Sequence, residues 1–234
     1  MAHRRRPARA RRRRRNRAVL LLVCALAAAR LLADERTQEE PAPAVLRAIS
    51  LEGDPESGAR AYESCAVCHL ASGAGRSDGT FPQLAGQHRS VIIKQLVDIR
   101  DGRRSNPLML PYAIELLDEQ EIADVASYVA QLPVPNDNGR GAGTDLERGA
   151  RLYRSDCQEC HGARGEGDAA RFVPALAGQH YPYLLRQVRA IAGGRRGNAS
   201  RSMERHARPY SDAELQAVVD FASRLDARGR EQRP

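Results

Sequence analysis

Two short stretches carry residues with chemical potential. SCAVCHL, residues 64–70, and DCQECHG, residues 156–162, each place a histidine directly after Cys-x-x-Cys, and the two motifs lie 92 positions apart. Paired Cys-x-x-Cys motifs can ligate zinc, and four cysteines in an exported chain can form disulfides. Neither arrangement accounts for the histidine that follows the second cysteine both times. Covalent attachment of a c-type haem does. Thiols one helical turn apart, Cys65 with Cys68 and Cys157 with Cys160, can each add to one of the two vinyl groups of a haem. The adjacent His69 or His161 then lies beneath the iron as an axial ligand. The expected cofactors are two haem c, each with its iron.

The opposite face of each iron decides between electron transfer and substrate chemistry. Beyond Met1 the chain has two methionines, Met109 and Met203, 40 and 42 residues after His69 and His161. Each precedes an alanine by four positions, Ala113 and Ala207. A thioether is a soft ligand that favours ferrous iron and leaves no open position. The alternative is core filling. For the second haem, His206 is a further candidate ligand, since Tyr112 stands at the corresponding place in the first copy. Pro82 and Pro174 each follow the motif histidine by 13 residues. Their carbonyls can accept a hydrogen bond from the outer ring nitrogen and so orient the ligand, although turn formation alone explains a loop proline. His88 and His180 recur as a pair and read as surface or helix-start residues. Arg103-Arg104 and Arg195-Arg196 either pair with haem propionates or are solvated charge.

The elements that position these groups occur twice. FPQLAGQH (81–88) returns as VPALAGQH (173–180), and KQLVDIRDGRRSN (94–106) as RQVRAIAGGRRGN (186–198), both at offset 92. Upstream, DPESGARAY (54–62) matches DLERGARLY (145–153) at offset 91; downstream, IADVASYVAQL (122–132) matches LQAVVDFASRL (215–225) at offset 93. Such self-similarity marks a duplicated domain, and the drifts in offset read as loop insertions. Each copy predicts a helix running from Asp54 or Asp145 into the Cys-x-x-Cys-His motif. A second helix falls near 87–101 or 179–193, and a last one near 119–131 or 212–224. Asp118 with Glu121, and Ser211 with Glu214, fit capping boxes at the start of that last helix. Gly58 and Gly149 either let the first helix pass close to the last or merely weaken it. The expected layout is a signal peptide or N-terminal anchor over 1–33, a flexible spacer over 34–50, a first domain over 51–132, a linker over 133–143, a second domain over 144–226 and a charged tail over 227–234.

The net charge of +8 belongs to the leader. Ten of the 37 Lys+Arg fall within residues 1–17, and no Asp or Glu precedes Asp34, so 27 basic residues face 29 acidic ones in the remainder. That balance argues against a nucleic-acid partner. The basic stretch is followed by the apolar run AVLLLVCALAAA (18–29), the layout of a secretory signal with a site for cleavage at Ala27-Ala28-Ala29. Read through Leu31-Leu32-Ala33, the same run makes a marginal uncleaved anchor. Periplasmic export is expected either way, and an uncleaved leader associates the protein with the membrane.

Each half resembles a class I c-type cytochrome, and residues 50–226 resemble the di-haem cytochrome c4 family. CAVCH and CQECH, PQLAGQ and PALAGQ, GRRSNPLM and the later GRRGN with its Met carry the likeness. The resemblance implies an all-α fold of two tandem cytochrome c-like domains, each built around a covalently bound haem c, with propionates near the shared interface. It implies an electron carrier rather than an enzyme, working between a quinol-oxidising complex and a terminal oxidase. An electron-transfer subunit of a membrane-bound dehydrogenase or oxidase is the alternative, and a haem enzyme of peroxidase or sulfur-oxidising type a further one. The loop NASRSMERHARPYSD is longer before its Met and more charged than its partner, which bears on the second haem.

Overall fold

The computed structural model describes residues 41–115 and 118–226. The expected leader, Cys24 and the tail at 227–234 lie outside them. Among the described residues every regular element is helical, apart from one isolated bridge between Asp168 and Val173. The first half comprises α1 (Pro43–Ser50), α2 (Pro55–His69), α3 (Arg89–Arg100), α4 (Leu110–Glu115) and α5 (Glu119–Gln131). The second comprises α6 (Leu146–Leu152), α7 (Gln158–His161), α8 (Tyr181–Ala192), α9 (Arg201–Ala207) and α10 (Asp212–Ser223). No described helix is long and apolar enough to cross a membrane.

In each half the first long helix packs on the last: α2 on α5, and α6 on α10. Both capping boxes form, Asp118 with Glu121 and Ser211 with Glu214, and fix where α5 and α10 begin. The crossings decide the role of the glycines. A Cβ on Gly149 would stand 2.1 Å from the Ala217 carbonyl oxygen, so no other residue permits this approach. An aromatic pair closes each crossing: Tyr62 with Tyr128 at 5.4 Å, and Tyr153 with Phe221 at 5.5 Å. The hydroxyls of Tyr62 and Tyr153 donate to the carbonyls of Leu70 and Gly162, directly after the motif histidines. The helix crossing therefore anchors the end of each Cys-x-x-Cys-His segment.

Two expectations are corrected. Residues 34–50 were expected to be flexible, but 43–50 form α1, which packs on α3 and α5. Val45 and Ala48 are fully buried and join the core made by Ile93, Val97, Ile122 and Val129. The run AVLRAI places apolar residues at 44, 45, 48 and 49, an amphipathic spacing that the preceding prolines and charges obscure. Arg47 adds a two-pronged ion pair to Glu119 at the start of α5. The second correction concerns the repeat drift. The step from offset 91 to 92 falls inside a helix, not a loop. Three residues separate Tyr153 from Cys157 where two separate Tyr62 from Cys65. The extra residue is absorbed as a single π-helical turn, Tyr153–Cys157, between α6 and α7. A π-bulge is the form in which a helix accepts one inserted residue without losing register on either side.

The linker over 133–143 is sewn onto the second half. Asn138 donates to the carbonyls of Gln179 and Ser223, and Asp220 accepts from the backbone N–H groups of Gly141 and Gly143. Turn-rich sequence here means irregular backbone held by specific bonds.

Candidate haem sites and the seam between them

The four motif cysteines are free, partly exposed thiols. Burial pushes Cys65 above its ordinary value, and burial together with Asp156 and Cys160 brings Cys157 up to about 11. Among the described residues no three His, Cys, Asp or Glu side chains converge to hold a metal ion.

His69 closes α2 and His161 closes α7; both are buried. His69 Nδ1 lies 3.0 Å from the Pro82 carbonyl oxygen, and His161 Nδ1 lies 3.0 Å from that of Pro174. A carbonyl only accepts, so Nδ1 carries the proton and Nε2 the free lone pair. Burial lowers both pKa values against the pull of these bonds, which keeps the rings neutral. A neutral, oriented imidazole is the form that ligates iron.

Met109 stands just before α4, its N–H donating to Asn106, and is half-buried. Met203 sits within α9, where it packs on the core cluster that includes Tyr153, Leu185 and Val218. The two residues inserted before Met203 supply its helix with a cap, since Ser200 Oγ accepts from the Met203 N–H. His206 is exposed, and its Nδ1 is held 2.8 Å from the Ser202 carbonyl. Of the two candidate ligands in this loop, Met203 faces the core.

The arginine pairs divide. Arg103 bonds Asp98 and Asp101, and exposed Arg195 donates to the Arg189 carbonyl. Arg104 and Arg196, related by the repeat, converge across the seam on Gln95 Oε1 at 2.9 and 3.1 Å. That oxygen also accepts from Asn198. The other hydrogen bonds of these two arginines go to Tyr183, Gln187 and Asn198, while the Asp98 carboxylate acts on Arg196 at longer range. Burial and the facing Arg104 lower Arg196 to about 10. Two facing guanidinium groups on one overcommitted amide oxygen call for anionic partners, which haem propionates supply.

The seam contains residues whose role the sequence concealed. His88 and His180 stand at the N-caps of α3 and α8, as the helix-start expectation has it; His88 is half-buried and His180 buried. His88 Nε2 lies 2.7 Å from the Glu166 carbonyl, and His180 Nε2 lies 2.8 Å from that of Ala74, each across the seam. Gln87 Nε2 donates to the Ala175 carbonyl at 3.0 Å, and Gln179 Nε2 to the Gln83 carbonyl at 2.8 Å. Identity of AGQH in both copies was the available signal: a two-fold seam uses each residue twice, once from either side.

The residues present fit a covalently held haem in each half. Thiols sit one turn apart, a neutral histidine offers Nε2, a methionine lies in the segment before the last helix, and among the described residues neither Arg104 nor Arg196 hydrogen-bonds a carboxylate. Gln83 Oε1, one residue from Pro82, is the buried side-chain polar atom left without a partner among the described residues, and the cofactor's polar edge is the neighbour it calls for.

A helical domain of this build, duplicated, defines a tandem c-type cytochrome. The cytochrome c family profile matches residues 55–133 and 146–226. The thiosulfate dehydrogenase electron acceptor of Stutzerimonas stutzeri is 39% identical over 68% of this chain and 77% of its own length. Cytochrome c4 of Thiocapsa roseopersicina is 35% identical over 74% and 93%. The crystal structure of reduced recombinant cytochrome c4 from Pseudomonas stutzeri superposes with a TM-score of 0.67 at 26% identity, covering 74% of this chain and 99% of that one. The chain belongs to the cytochrome c family and, within it, to the di-haem cytochromes c4. It carries two covalently bound haem c groups and is an electron carrier that works with redox partners.

Proposed function

We propose that this chain is an exported, periplasmic carrier that takes electrons from a quinol-oxidising complex and delivers them to a terminal oxidase, with no substrate chemistry of its own. Cys65 and Cys68 hold one haem by thioethers, and Cys157 and Cys160 the other. His69 with Met109, and His161 with Met203, are the axial pairs, while Pro82 and Pro174 orient the histidines. The observation that carries this reading is the matched bond from His69 to Pro82 and from His161 to Pro174, 3.0 Å in both halves, which leaves Nε2 free each time. When bound, each haem supplies a one-electron iron couple. The protein's part is to fix two soft-and-neutral ligand sets and to close the site to oxygen and peroxide.

The weak far-red band of a Met–Fe(III) bond tests the ligands: the oxidised protein shows intensity for two. Carbon monoxide tests the role. Rapid stoichiometric binding to the reduced protein at neutral pH would overturn the carrier reading in favour of a haem enzyme. Fractionation of cells then places the protein in the periplasm, or in a membrane complex if it is a bound subunit.

A second donor has a specific observation in its favour. The 39% identical relative is named for accepting electrons from thiosulfate dehydrogenase. Stopped-flow reduction by thiosulfate with that enzyme, set against reduction by a quinol-oxidising complex, decides which donor is kinetically competent.

A further inference from the structure

The hydrogen bonds that orient the two histidines do not end within their own domains. Pro82 C=O and Gln83 N–H are the two ends of one peptide unit. His69 Nδ1–H donates to its oxygen at 3.0 Å, and its N–H donates at 3.0 Å to Gln179 Oε1, from the other domain. The second half mirrors this. His161 Nδ1–H donates to Pro174 O at 3.0 Å, and the N–H of the same peptide unit, on Ala175, donates at 3.0 Å to Gln87 Oε1 of the first domain. Both glutamine side chains are buried. Their orientation is set by their partners. Gln179 Oε1 also accepts the His180 N–H, Gln87 Oε1 the His88 N–H, and each Nε2 faces a carbonyl across the seam.

We propose that Gln87 and Gln179 are crossed positioning residues, each tuning the haem of the opposite domain through a single peptide unit behind that haem's histidine. The physical step is polarisation. A peptide whose N–H is engaged by an acceptor carries more negative charge on its oxygen, and hydrogen bonds in such a chain strengthen one another by roughly 10–30% each. A stronger acceptor behind Nδ1–H makes the imidazole more basic toward iron, which stabilises the ferric state. Gln179 therefore lowers the potential of the first haem, and Gln87 that of the second. The arrangement also links the sites: any partner that opens the seam releases both clamps and raises both potentials together. This inference rests on His69 and His161 being the axial histidines.

The test is a redox titration of the full-length di-haem protein, with the haem methyl NMR signals of each domain assigned through contacts to its own histidine. In Gln179→Leu the ferrous-to-ferric ratio of the first haem at fixed ambient potential rises about threefold, or about 28 mV at about 59 mV per tenfold for one electron, while the second haem is unmoved. Gln87→Leu gives the mirror result. Gln179→Glu, which keeps an oxygen opposite the Gln83 N–H, brings the first haem back down to its wild-type value or below it, since a carboxylate accepts more strongly than an amide. If Gln179→Leu does not fold, Gln179→Met keeps the side-chain length and serves the same measurement. A shift in the substituted domain's own haem, an equal shift in both, or none overturns the proposal. Failure of the ligand assignment is seen separately: the wild-type protein would then lack hyperfine-shifted Nδ1 protons from His69 and His161, whatever the variants do.

Discussion

Gly58 in α2 passes Asp124 in α5 so closely that a Cβ on the glycine would stand 2.1 Å from the Asp124 carbonyl oxygen. The obstructing atom is backbone and cannot swing aside. Alanine in an exposed helix normally stabilises relative to glycine by about 0.5–1 kcal/mol. Here the sign inverts. Gly58→Ala and Gly149→Ala are each expected to destabilise the holoprotein by about 3 kcal/mol, the upper range for overpacking. Chemical denaturation followed at the haem absorption checks this, and a neutral or stabilising result refutes the close crossing.

The chain's first described helix supplies an independent test. Val45 is fully buried among Ile93, Val97 and Ile122. Truncating a buried aliphatic side chain removes its transfer energy and leaves a cavity. Val45→Ala is expected to cost about 2 kcal/mol, and Leu46→Ala, on the half-exposed face next to it, about 0–0.5 kcal/mol. Equal effects in denaturant titrations would mean that residues 43–50 are the loose spacer that their composition implies.

What the sequence disclosed, and what it hid, follows a physical division. Cys-x-x-Cys-His, the capping pairs at 118–121 and 211–214, and the duplicated helices are local patterns, so spacing along the chain exposes them. α1 was masked because eight residues of amphipathic pattern beside prolines and charges carry too little signal on their own; its helicity comes from packing on α3 and α5. The π-turn at Tyr153–Cys157 looked like loop drift because an insertion count does not say whether a helix will absorb it. Gln87, Gln179, His88 and His180 were visible as a repeat, yet their bonds run between residues about 78 to 106 positions apart. No periodicity reports a contact that exists only when two copies face each other.

The methionine loop of the second half yields a spectroscopic prediction. Met203 packs on the core, whereas His206 is exposed and tied to Ser202. His206→Ala is expected to leave both Met–Fe(III) bands intact. Met203→Ala is expected to remove about half of the far-red intensity and to open one haem to carbon monoxide, because a soft axial ligand is lost. The reverse pattern would make His206 the ligand.

His180 gives the seam a dependence on pH whose sign can be worked out. Its Nε2–H donates to the Ala74 carbonyl at 2.8 Å, and its Nδ1 accepts the Gly139 N–H at 3.0 Å, so the neutral ring satisfies both neighbours. Burial lowers its pKa, against the raising effects of the Ala74 bond and of Asp137 and Asp78 nearby. A group whose pKa is depressed by folding contributes stability that is complete above its unfolded value, about 6.5 for histidine. That contribution is lost as pH falls through the lower folded value. Protonation would set an Nδ1–H against the Gly139 N–H. The wild type is therefore expected to lose stability below about pH 6.5 more steeply than His180→Gln, which binds no proton there. The variant starts less stable at pH 7, with one buried hydrogen bond of about 1 kcal/mol weakened, and the two curves converge toward pH 5. Parallel denaturation curves across that range would show that the ring at position 180 is not the group that couples the seam to protons.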